Sequence, residues 1–469
     1  MLLTLVGVYL LISICIGLYA SRKVHSAKDY ITAGRHLGMP VVLSMVFATW
    51  FGAETVLGIS ATFLKEGARG LISDPLGASI CLVLFGLVFA LPLYRMKLLT
   101  LGDFFRLRYG PRTELVVSIC IMLSYLGWVS AQITALGLVF NVLSQDMISL
   151  TQGMAIGASV VIFYTIFGGM YSVAATTFIQ MIVIVVGLLI VSAMAGNMAG
   201  GISAVIAKAS AEGKLSFLPS FNPVDMLSWV AALVTMALGS VPQQDVFQRV
   251  NSSRSERVAV WGTTLGGASY FFFAAVPIFL GFAASMIDPE MTKQLMANDS
   301  QLVLPNLVTK YMPFWVQVVF FGALLSVIMS TASGTLLAPS VTFAENIIRN
   351  RMSGMPDVVM LLVTRLTVLA FGLLVTLYAM FTSESIHGMV ENAYRITLAG
   401  AFVPLAAGLF WKKANNTGAA LSISMGLGAW ILLEIFGGNL NEIVQPHLIG
   451  FVASAIGMFV GSALLRSRA

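Results

Sequence analysis

The sequence has very little charge. Only 10% of its 469 residues are Asp, Glu, Lys or Arg, whereas 58% are hydrophobic, and the mean hydropathy is +0.92. A soluble protein of this length needs many more polar side chains to cover its surface. The composition therefore excludes a soluble globular protein and predicts a chain that lies almost entirely within a bilayer.

Cysteine and histidine are also scarce, with three and four residues respectively. Cys15, Cys81 and Cys120 all fall inside apolar segments, where we expect small buried apolar side chains rather than disulfide partners or metal ligands. The histidines are scattered over loops and segment ends and form no recognisable metal set. The sequence has no P-loop, HExxH or Ser/His/Asp pattern, so we predict that it is not an enzyme.

Thirteen apolar segments fill most of the chain. A helix needs about 20 residues to cross the hydrocarbon core of about 30 Å. The predicted spans, numbered 1 to 13, are residues 2–20, 39–64, 72–96, 114–143, 150–167, 172–197, 226–247, 258–287, 313–346, 358–382, 386–411, 417–436 and 446–465. The sequence thus predicts an all-α polytopic membrane protein with short loops.

Basic residues are concentrated in alternate loops. The loops rich in lysine and arginine hold Arg22, Lys23, Lys28, Arg35, Arg95, Lys97, Arg106, Arg108, Arg112, Arg249, Arg254, Arg257, Arg349, Arg351, Lys412, Lys413, Arg466 and Arg468. Because cytoplasmic loops carry the excess of lysine and arginine, we predict an N-terminus outside and a C-terminus in the cytoplasm of a plasma membrane, of the bacterial inner type. The net charge of +6 follows from this topology and needs no nucleic-acid partner.

Two spans are interrupted by glycine, proline or acidic residues, although a single glycine in a membrane helix can also be a close-packing residue. Span 2 contains Gly52 and Glu54, and span 7 contains Pro242 and Asp245. Unwound backbone persists at membrane depth only where it is buried in protein or lines a watery cavity, and transporters use it to hold ions and substrate. Since the two interruptions lie five spans apart, spans 2–6 and 7–11 are predicted to be inverted repeats, each starting with a discontinuous helix. The predicted plan is an extra N-terminal helix and loop at 1–37, repeats at 38–199 and 226–411, and two C-terminal helices at 412–469.

Span 9 offers oxygen atoms on one face of a helix. Val327, Ser330 and Thr331 are spaced i, i+3 and i+4, which places one carbonyl and two hydroxyl groups together. With carbonyls freed by the break in span 2, these groups could form an all-oxygen cage for a hard monovalent cation. Alternatively, the hydroxyls bond back to their own helix or join neighbouring helices.

Four motifs in this order resemble those of the solute:sodium symporter family, over nearly the full length of the chain. They lie at residues 30–38, 168–180, 248–253 and 329–331. The resemblance implies a symporter that imports a small solute with sodium as the co-transported ion. It places the main sodium site at the backbone carbonyls of Ala48, Phe51 and Val327 and the hydroxyls of Ser330 and Thr331.

One position departs from the family pattern. Many members carry an acidic residue where this chain has Thr177, and that acid supports a second sodium site in some of them. The departure predicts one sodium ion per transport cycle.

Within the family, the stretches 48–52 and 241–249 most resemble the choline-transporter branch. Trp50 and Trp128 fall where that branch places aromatic walls around a quaternary ammonium, and a cation over an indole face gains roughly 0.5 to 2 kcal/mol. Two other wall positions are Gln243 and Ala78 here, which favours a cationic or zwitterionic solute with polar groups, such as a betaine or amino acid. Alternatively, Trp50 and Trp128 are packing residues.

Glu54 is the acidic residue of the first interruption. We expect it to neutralise a bound ammonium group, to take up a proton, or to cap backbone N–H groups freed by the break. The sequence leaves three other functions open. These are an ion channel, a transporter-like membrane sensor, and a symporter for a carboxylate or sugar. A channel would need a continuous pore with a filter, and two isolated breaks do not suggest one.

Overall fold

The computed structural model describes residues 1–352, 354–438 and 440–464. These residues form helices joined by turns and loops, with one isolated β-bridge between Leu37 and Ser253. The basic residues Arg466 and Arg468, with the end of the predicted 412–469 segment, lie outside the described residues. The all-α fold class is confirmed.

The helices follow the predicted spans closely. Span 1 is Leu2–Ser21; span 2 is Met39–Trp50, Glu54–Gly58 and Ile59–Glu66; span 3 is Ile72–Gly77, Ala78–Leu84, Phe85–Phe89 and Ala90–Arg95; span 4 is Pro111–Leu143; and spans 5 and 6 together are Leu150–Met198. Span 7 is Pro223–Gly239 and Gln244–Asn251; span 8 is Glu256–Phe273 and Ala275–Ile287; span 9 is Phe314–Thr342 and Phe343–Arg349; span 10 is Asp357–Phe381; span 11 is Ile386–Thr397, Leu398–Phe402 and Val403–Phe410; span 12 is Asn416–Phe436; and span 13 is Pro446–Phe459 and Val460–Leu464. Connecting helices are Ala27–Thr32, Ala33–Arg35, Gly67–Leu71, Leu101–Tyr109, Ile202–Ala211, Pro289–Asn298, Ser300–Leu302, Val303–Tyr311 and Leu440–Ile443.

When helices that follow one another directly are joined, ten of the described helices are long and apolar enough to cross a membrane. The number is eleven if the bent pair of span 7 counts as one. Two of them, Glu54–Arg95 and Leu150–Met198, have 42 and 49 residues, which is too long for one crossing. The first contains an irregular segment around Asp74, and the second is interrupted at Gly169. Dividing both at these points recovers the thirteen predicted segments.

The interruption between spans 5 and 6 requires glycine. Gly169 has φ +49°, and a Cβ atom there would lie 2.4 Å from the carbonyl oxygen of Tyr30. Only a residue without a side chain allows this close approach.

Span 9 lies at the centre of the bundle. In its most apolar 18-residue stretch, 72% of the residues are buried, compared with 22% in the corresponding stretches of spans 1 and 12. Span 9 packs against spans 4 and 6, while spans 12 and 13 pack mainly against each other. Cys81 and Cys120 are buried as predicted, but Cys15 lies on the exposed surface of span 1, so its predicted burial is wrong. Span 9 and the helices packed around it therefore form the core of the bundle.

Candidate ion and substrate site

The helix of span 2 stops at the first interruption. It ends at Trp50, and the N–H of Gly52 donates to the carbonyl of Trp50 at 2.8 Å instead of to that of Ala48. The helix resumes at Glu54. A Cβ atom at Gly52 would lie 2.3 Å from the carboxylate of Glu54, so any side chain here would displace that carboxylate. The break leaves the Ala48 carbonyl without its usual helical donor.

Span 9 places a hydroxyl group against this break. Thr331 Oγ1 donates to the carbonyl oxygen of Ala48 at 3.1 Å and lies 3.4 Å from that of Phe51. Both Ser330 and Thr331 are fully buried. The Ser330 hydroxyl instead donates to the Val327 carbonyl of its own helix at 2.9 Å.

The structure thus brings the Thr331 hydroxyl of span 9 to two of the predicted carbonyls of span 2, those of Ala48 and Phe51, and the Ser330 hydroxyl to the third, that of Val327 in its own helix. Hard cations prefer oxygen ligands of this kind, and a set of neutral donors suits a singly charged ion better than a divalent one. The alternative of back-bonding within the helix describes Ser330, whereas Thr331 crosses to span 2.

The second interruption lies in span 7, whose two helices meet at an angle of 43°. The first helix ends at Gly239, and the second begins at Gln244 after Pro242, which has no N–H to continue the helix. The Gln243 side chain is buried between spans 4 and 11, with its amide nitrogen 3.1 Å from Ser124 Oγ and 3.5 Å from Thr397 Oγ1. Both predicted discontinuous helices are therefore present.

Four aromatic side chains form a cluster next to the break in span 2. The indole rings of Trp50 and Trp128 stack with centroids 4.8 Å apart and planes 17° from parallel. Tyr394 of span 11 meets both indoles edge-on, at 5.2 Å and 5.6 Å. Tyr125 stacks on Trp128, with ring centroids 5.8 Å apart. In this conformation the faces of the two indoles cover each other, as packing residues would, and do not enclose an open box.

Glu54 is buried beside this cluster. Its carboxylate accepts hydrogen bonds from Gln132 Nε2 at 2.7 Å and Trp128 Nε1 at 3.3 Å. Both donors belong to span 4, and both are neutral. A buried carboxylate without a cationic partner is costly, and an incoming ammonium group would relieve that cost.

Several buried polar residues near the two breaks were not assigned to the site from the sequence, although Asp245 was recognised as part of the interruption of span 7. Tyr270 donates to Asp74 and lies 3.2 Å from Thr55 Oγ1, which links spans 3 and 8 to the resumed helix of span 2. Tyr125 donates to Asp245 Oδ1 at 2.5 Å. The signal for the two aspartates was available, because an acid within an apolar span is usually functional. The tyrosines gave no such signal.

Arg249 is the largest charged side chain among those buried in the described part of the chain. It donates to the Met45 carbonyl at 2.6 Å and to the Thr49 hydroxyl, one turn before the break in span 2. A Cβ at Gly334, one turn after Thr331, would touch its guanidinium. Arg249 therefore lies between spans 2 and 9, close to the break in span 2.

Thr177 is fully buried in span 6, and its hydroxyl has no hydrogen-bond partner among the residues described. The same is true of both amide atoms of Gln180 on the same helix. No carboxylate occupies this position, which agrees with the sequence.

Comparison with known proteins identifies the fold. A solved Na+-coupled sialic acid symporter, in a substrate-bound outward-open state, superposes with a TM-score of 0.83 at 21% identity, covering 98% of this chain and 96% of that one. The agreement confirms the all-helical fold with inverted repeats and discontinuous helices.

Curated relatives are transporters rather than enzymes. High-affinity choline transporter 1 of Caenorhabditis elegans is 27% identical over 466 residues, covering 93% of this chain and 78% of the relative. The high-affinity proline transporter PutP of Bacillus subtilis (strain 168) is 24% identical over 484 residues, covering 96% of both chains.

The sequence pattern of the Sodium:solute symporter family matches residues 30–426. The match spans most of the chain and confirms the resemblance found in its motifs. This multi-pass membrane protein belongs to the sodium:solute symporter family.

Proposed function

We propose that the protein is a sodium-coupled secondary symporter that imports a small cationic or zwitterionic organic solute by alternating access. The observation that carries this proposal is the contact between Thr331 Oγ1 and the carbonyls of Ala48 and Phe51 at the break in span 2. Val327 and Ser330 complete the proposed sodium site. When sodium binds, the Thr331 hydroxyl turns its lone pairs to the ion, and the carbonyls that it now contacts become ligands.

The proposed substrate site consists of Trp50, Glu54, Trp128 and Gln243. These side chains come from spans 2, 4 and 7, and they are buried next to both interruptions. Glu54 supplies negative charge for an ammonium group, and Gln243 supplies an amide for further polar groups.

The two sites share the segment around the break in span 2. Ala48 and Phe51 face the ion, while Trp50 and Glu54 face the substrate cluster. Binding of either ligand fixes the same short stretch of backbone, so each ligand raises the affinity for the other. Coupling between ion and solute follows from this shared segment.

The proposed orientation has the N-terminus outside and the C-terminus cytoplasmic, in a plasma membrane of the bacterial inner type. Its support is the alternation of basic loops. The proposed domain plan assigns 38–199 and 226–411 to the two inverted repeats, with 1–37 and 412–469 as additions at either end. Each repeat then starts with the discontinuous helix that carries the site.

The direct test is solute uptake by purified protein in proteoliposomes. Choline, betaines, amino acids, carboxylates and sugars are first screened by thermal shift with and without sodium, because a ligand of the folded state raises its stability. Each solute that stabilises the protein is then offered as a radiolabel under an inward sodium gradient, with potassium as the control ion. We expect saturable uptake of a cationic or zwitterionic solute that collapses in potassium. Uptake that is equal in both ions, or that selects a sugar or carboxylate, would refute the proposal.

A further inference from the structure

Three buried polar atoms around the aromatic cluster have no hydrogen-bond partner within the described residues. They are Trp50 Nε1, the Tyr394 hydroxyl and Asp245 Oδ2. The first two residues are fully buried, and Asp245 is 1% exposed. Buried polar atoms in folded proteins are nearly always paired, and each exception needs an explanation.

These atoms belong to one cluster. The hydroxyl of Tyr125 donates to the other oxygen of Asp245 at 2.5 Å, and the Tyr125 ring stacks on Trp128. Trp128 stacks in turn on Trp50, and Tyr394 meets both indoles. The unpaired acceptor therefore lies within one set of packed rings with two unpaired donors.

Among the described residues, no side chain or backbone group donates a hydrogen bond to Asp245 Oδ2. Arg249 lies one turn later on the same helix, but it donates to the Met45 carbonyl at 2.6 Å and to the Thr49 hydroxyl. Its charge lowers the cost of burying the Asp245 carboxylate without supplying a hydrogen bond to Oδ2.

We infer that this cluster binds the zwitterionic head group of an amino acid that carries at least one N–H on its ammonium nitrogen. Asp245 Oδ2 accepts that N–H, Glu54 supplies further negative charge to the same ammonium group, and the Tyr394 hydroxyl and Trp50 Nε1 donate to the carboxylate. This inference rests on the proposed function and narrows its substrate class.

A quaternary ammonium does not fit this arrangement as well. It has no N–H, so Asp245 Oδ2 would stay unpaired in the complex, at a large cost in affinity. Quaternary ammonium ions are held mainly by aromatic faces, and here the faces of Trp50 and Trp128 cover each other. The groups left to bind a ligand are therefore the unpaired polar atoms at the edges of the cluster.

Matched pairs of ligands test the inference. Each of the twenty common amino acids is compared with its fully N-methylated betaine, in competition for the saturable uptake of whichever solute the proteoliposomes take up with sodium. We expect at least one amino acid to compete about 10-fold or more strongly than its betaine, as loss of a hydrogen bond to a charged group predicts.

Betaines or choline that compete as well as or better than every amino acid would overturn the inference and leave the sodium-coupled function intact. Failure of every solute to show sodium-dependent uptake would instead refute the proposed function, and the inference with it.

Two variants locate the head group. Tyr394→Phe keeps the ring and removes only the unpaired hydroxyl, so we expect about 10-fold weaker competition by the amino acid with unchanged thermal stability of the ligand-free protein. Tyr378→Phe on the outer surface of span 10 is the matched control and should change neither. Unchanged affinity of the amino acid for Tyr394→Phe would overturn the assignment.

Discussion

Individual hydroxyl groups at the centre of the bundle have different tasks. Thr331 reaches across from span 9 to the opened backbone of span 2, while Ser330 bonds within its own helix. Ser340, two and a half turns further along span 9, is also fully buried and also bonds back, to the Leu336 carbonyl at 2.8 Å. These three side chains have similar burial, so substitutions at them separate loss of an ion ligand from loss of a buried hydroxyl.

Removing a proposed sodium ligand should raise the sodium requirement. For Thr331→Ala and Ser330→Ala we expect the sodium concentration for half-maximal uptake to rise about 10-fold, with little change in the preference among solutes. Ser340→Ala is the matched control and should resemble the wild type. Sodium titrations of uptake measure all three. A solute preference that changes as strongly as the sodium requirement would show that these residues are misassigned.

Substitutions at Glu54 and Trp50 should instead weaken solute affinity more than they change the sodium requirement. Glu54→Gln keeps the size of the side chain but removes its charge, and Trp50→Ala removes an indole from the cluster, so each should weaken solute affinity by about 10-fold or more. The sodium requirement, extrapolated to saturating solute, should change much less. Solute affinities from competition uptake provide the measurement, and unaltered affinity in both variants would place the substrate elsewhere.

The two discontinuous helices bring these residues together. In span 2 the break lies at Gly52, and Thr331 of span 9 donates to the Ala48 carbonyl that the break frees. In span 7 it depends on Pro242 and on the packing of Gly239 against the carbonyl of Tyr394, 2.7 Å from an added Cβ. Each break therefore combines a local signal in the sequence with a tertiary contact.

Substituting the glycine at the first break should damage the site. The methyl group of Gly52→Ala would overlap the Glu54 carboxylate, so we expect loss of most uptake and a fall in the free energy of unfolding of about 1–3 kcal/mol, typical of overpacking. Gly322→Ala in span 9 is the control, since nothing lies within 4 Å of an added Cβ there. Uptake and thermal unfolding of both variants test this. Wild-type uptake by Gly52→Ala would show that the break tolerates a side chain.

Much of this arrangement could be predicted from the sequence, for physical reasons. Acidic residues are costly at membrane depth, proline removes a helical hydrogen bond and glycine weakens a helix, so Gly52, Pro242 and Asp245 marked the interruptions directly. The i, i+3, i+4 spacing in span 9 likewise identified the face that meets span 2.

Contacts between distant spans were not predictable in the same way. The stacking of Trp50 on Trp128 and the position of Tyr394 depend on how side chains from spans 2, 4 and 11 pack. Tyrosine and tryptophan occur throughout membrane helices, so their presence alone does not distinguish a binding residue from a packing residue. Asp74 carried a visible signal, but its partner Tyr270 lies about two hundred residues later in the chain.

In the proposed function the whole molecule converts a sodium gradient into solute accumulation, and the driving force per cycle depends on the number of sodium ions moved. The family resemblance implies that an acidic residue at the position of Thr177 supports a second sodium site in some members, and this chain has no carboxylate there. For a zwitterionic solute, one sodium ion brings one net charge inward per cycle, driven by about 2.3 kcal/mol per 100 mV.

We therefore expect reversal potentials of uptake in proteoliposomes to give a coupling ratio of one sodium ion per solute. Thr177→Asp introduces the acidic residue that many family members carry at this position. Its coupling ratio should rise above one if this position alone determines whether a second sodium ion binds. A ratio of two in the wild-type protein would contradict the single-ion account.

Equilibrium binding of radiolabelled sodium to the purified protein tests the central claim most directly, because it requires neither a known solute nor transport. We predict saturable binding at one site per chain, weakened about 10-fold in Thr331→Ala and unchanged in Ser340→Ala. Equal sodium affinity in the wild type and Thr331→Ala would contradict the claim that the opened backbone of span 2 and the hydroxyls of span 9 hold the ion.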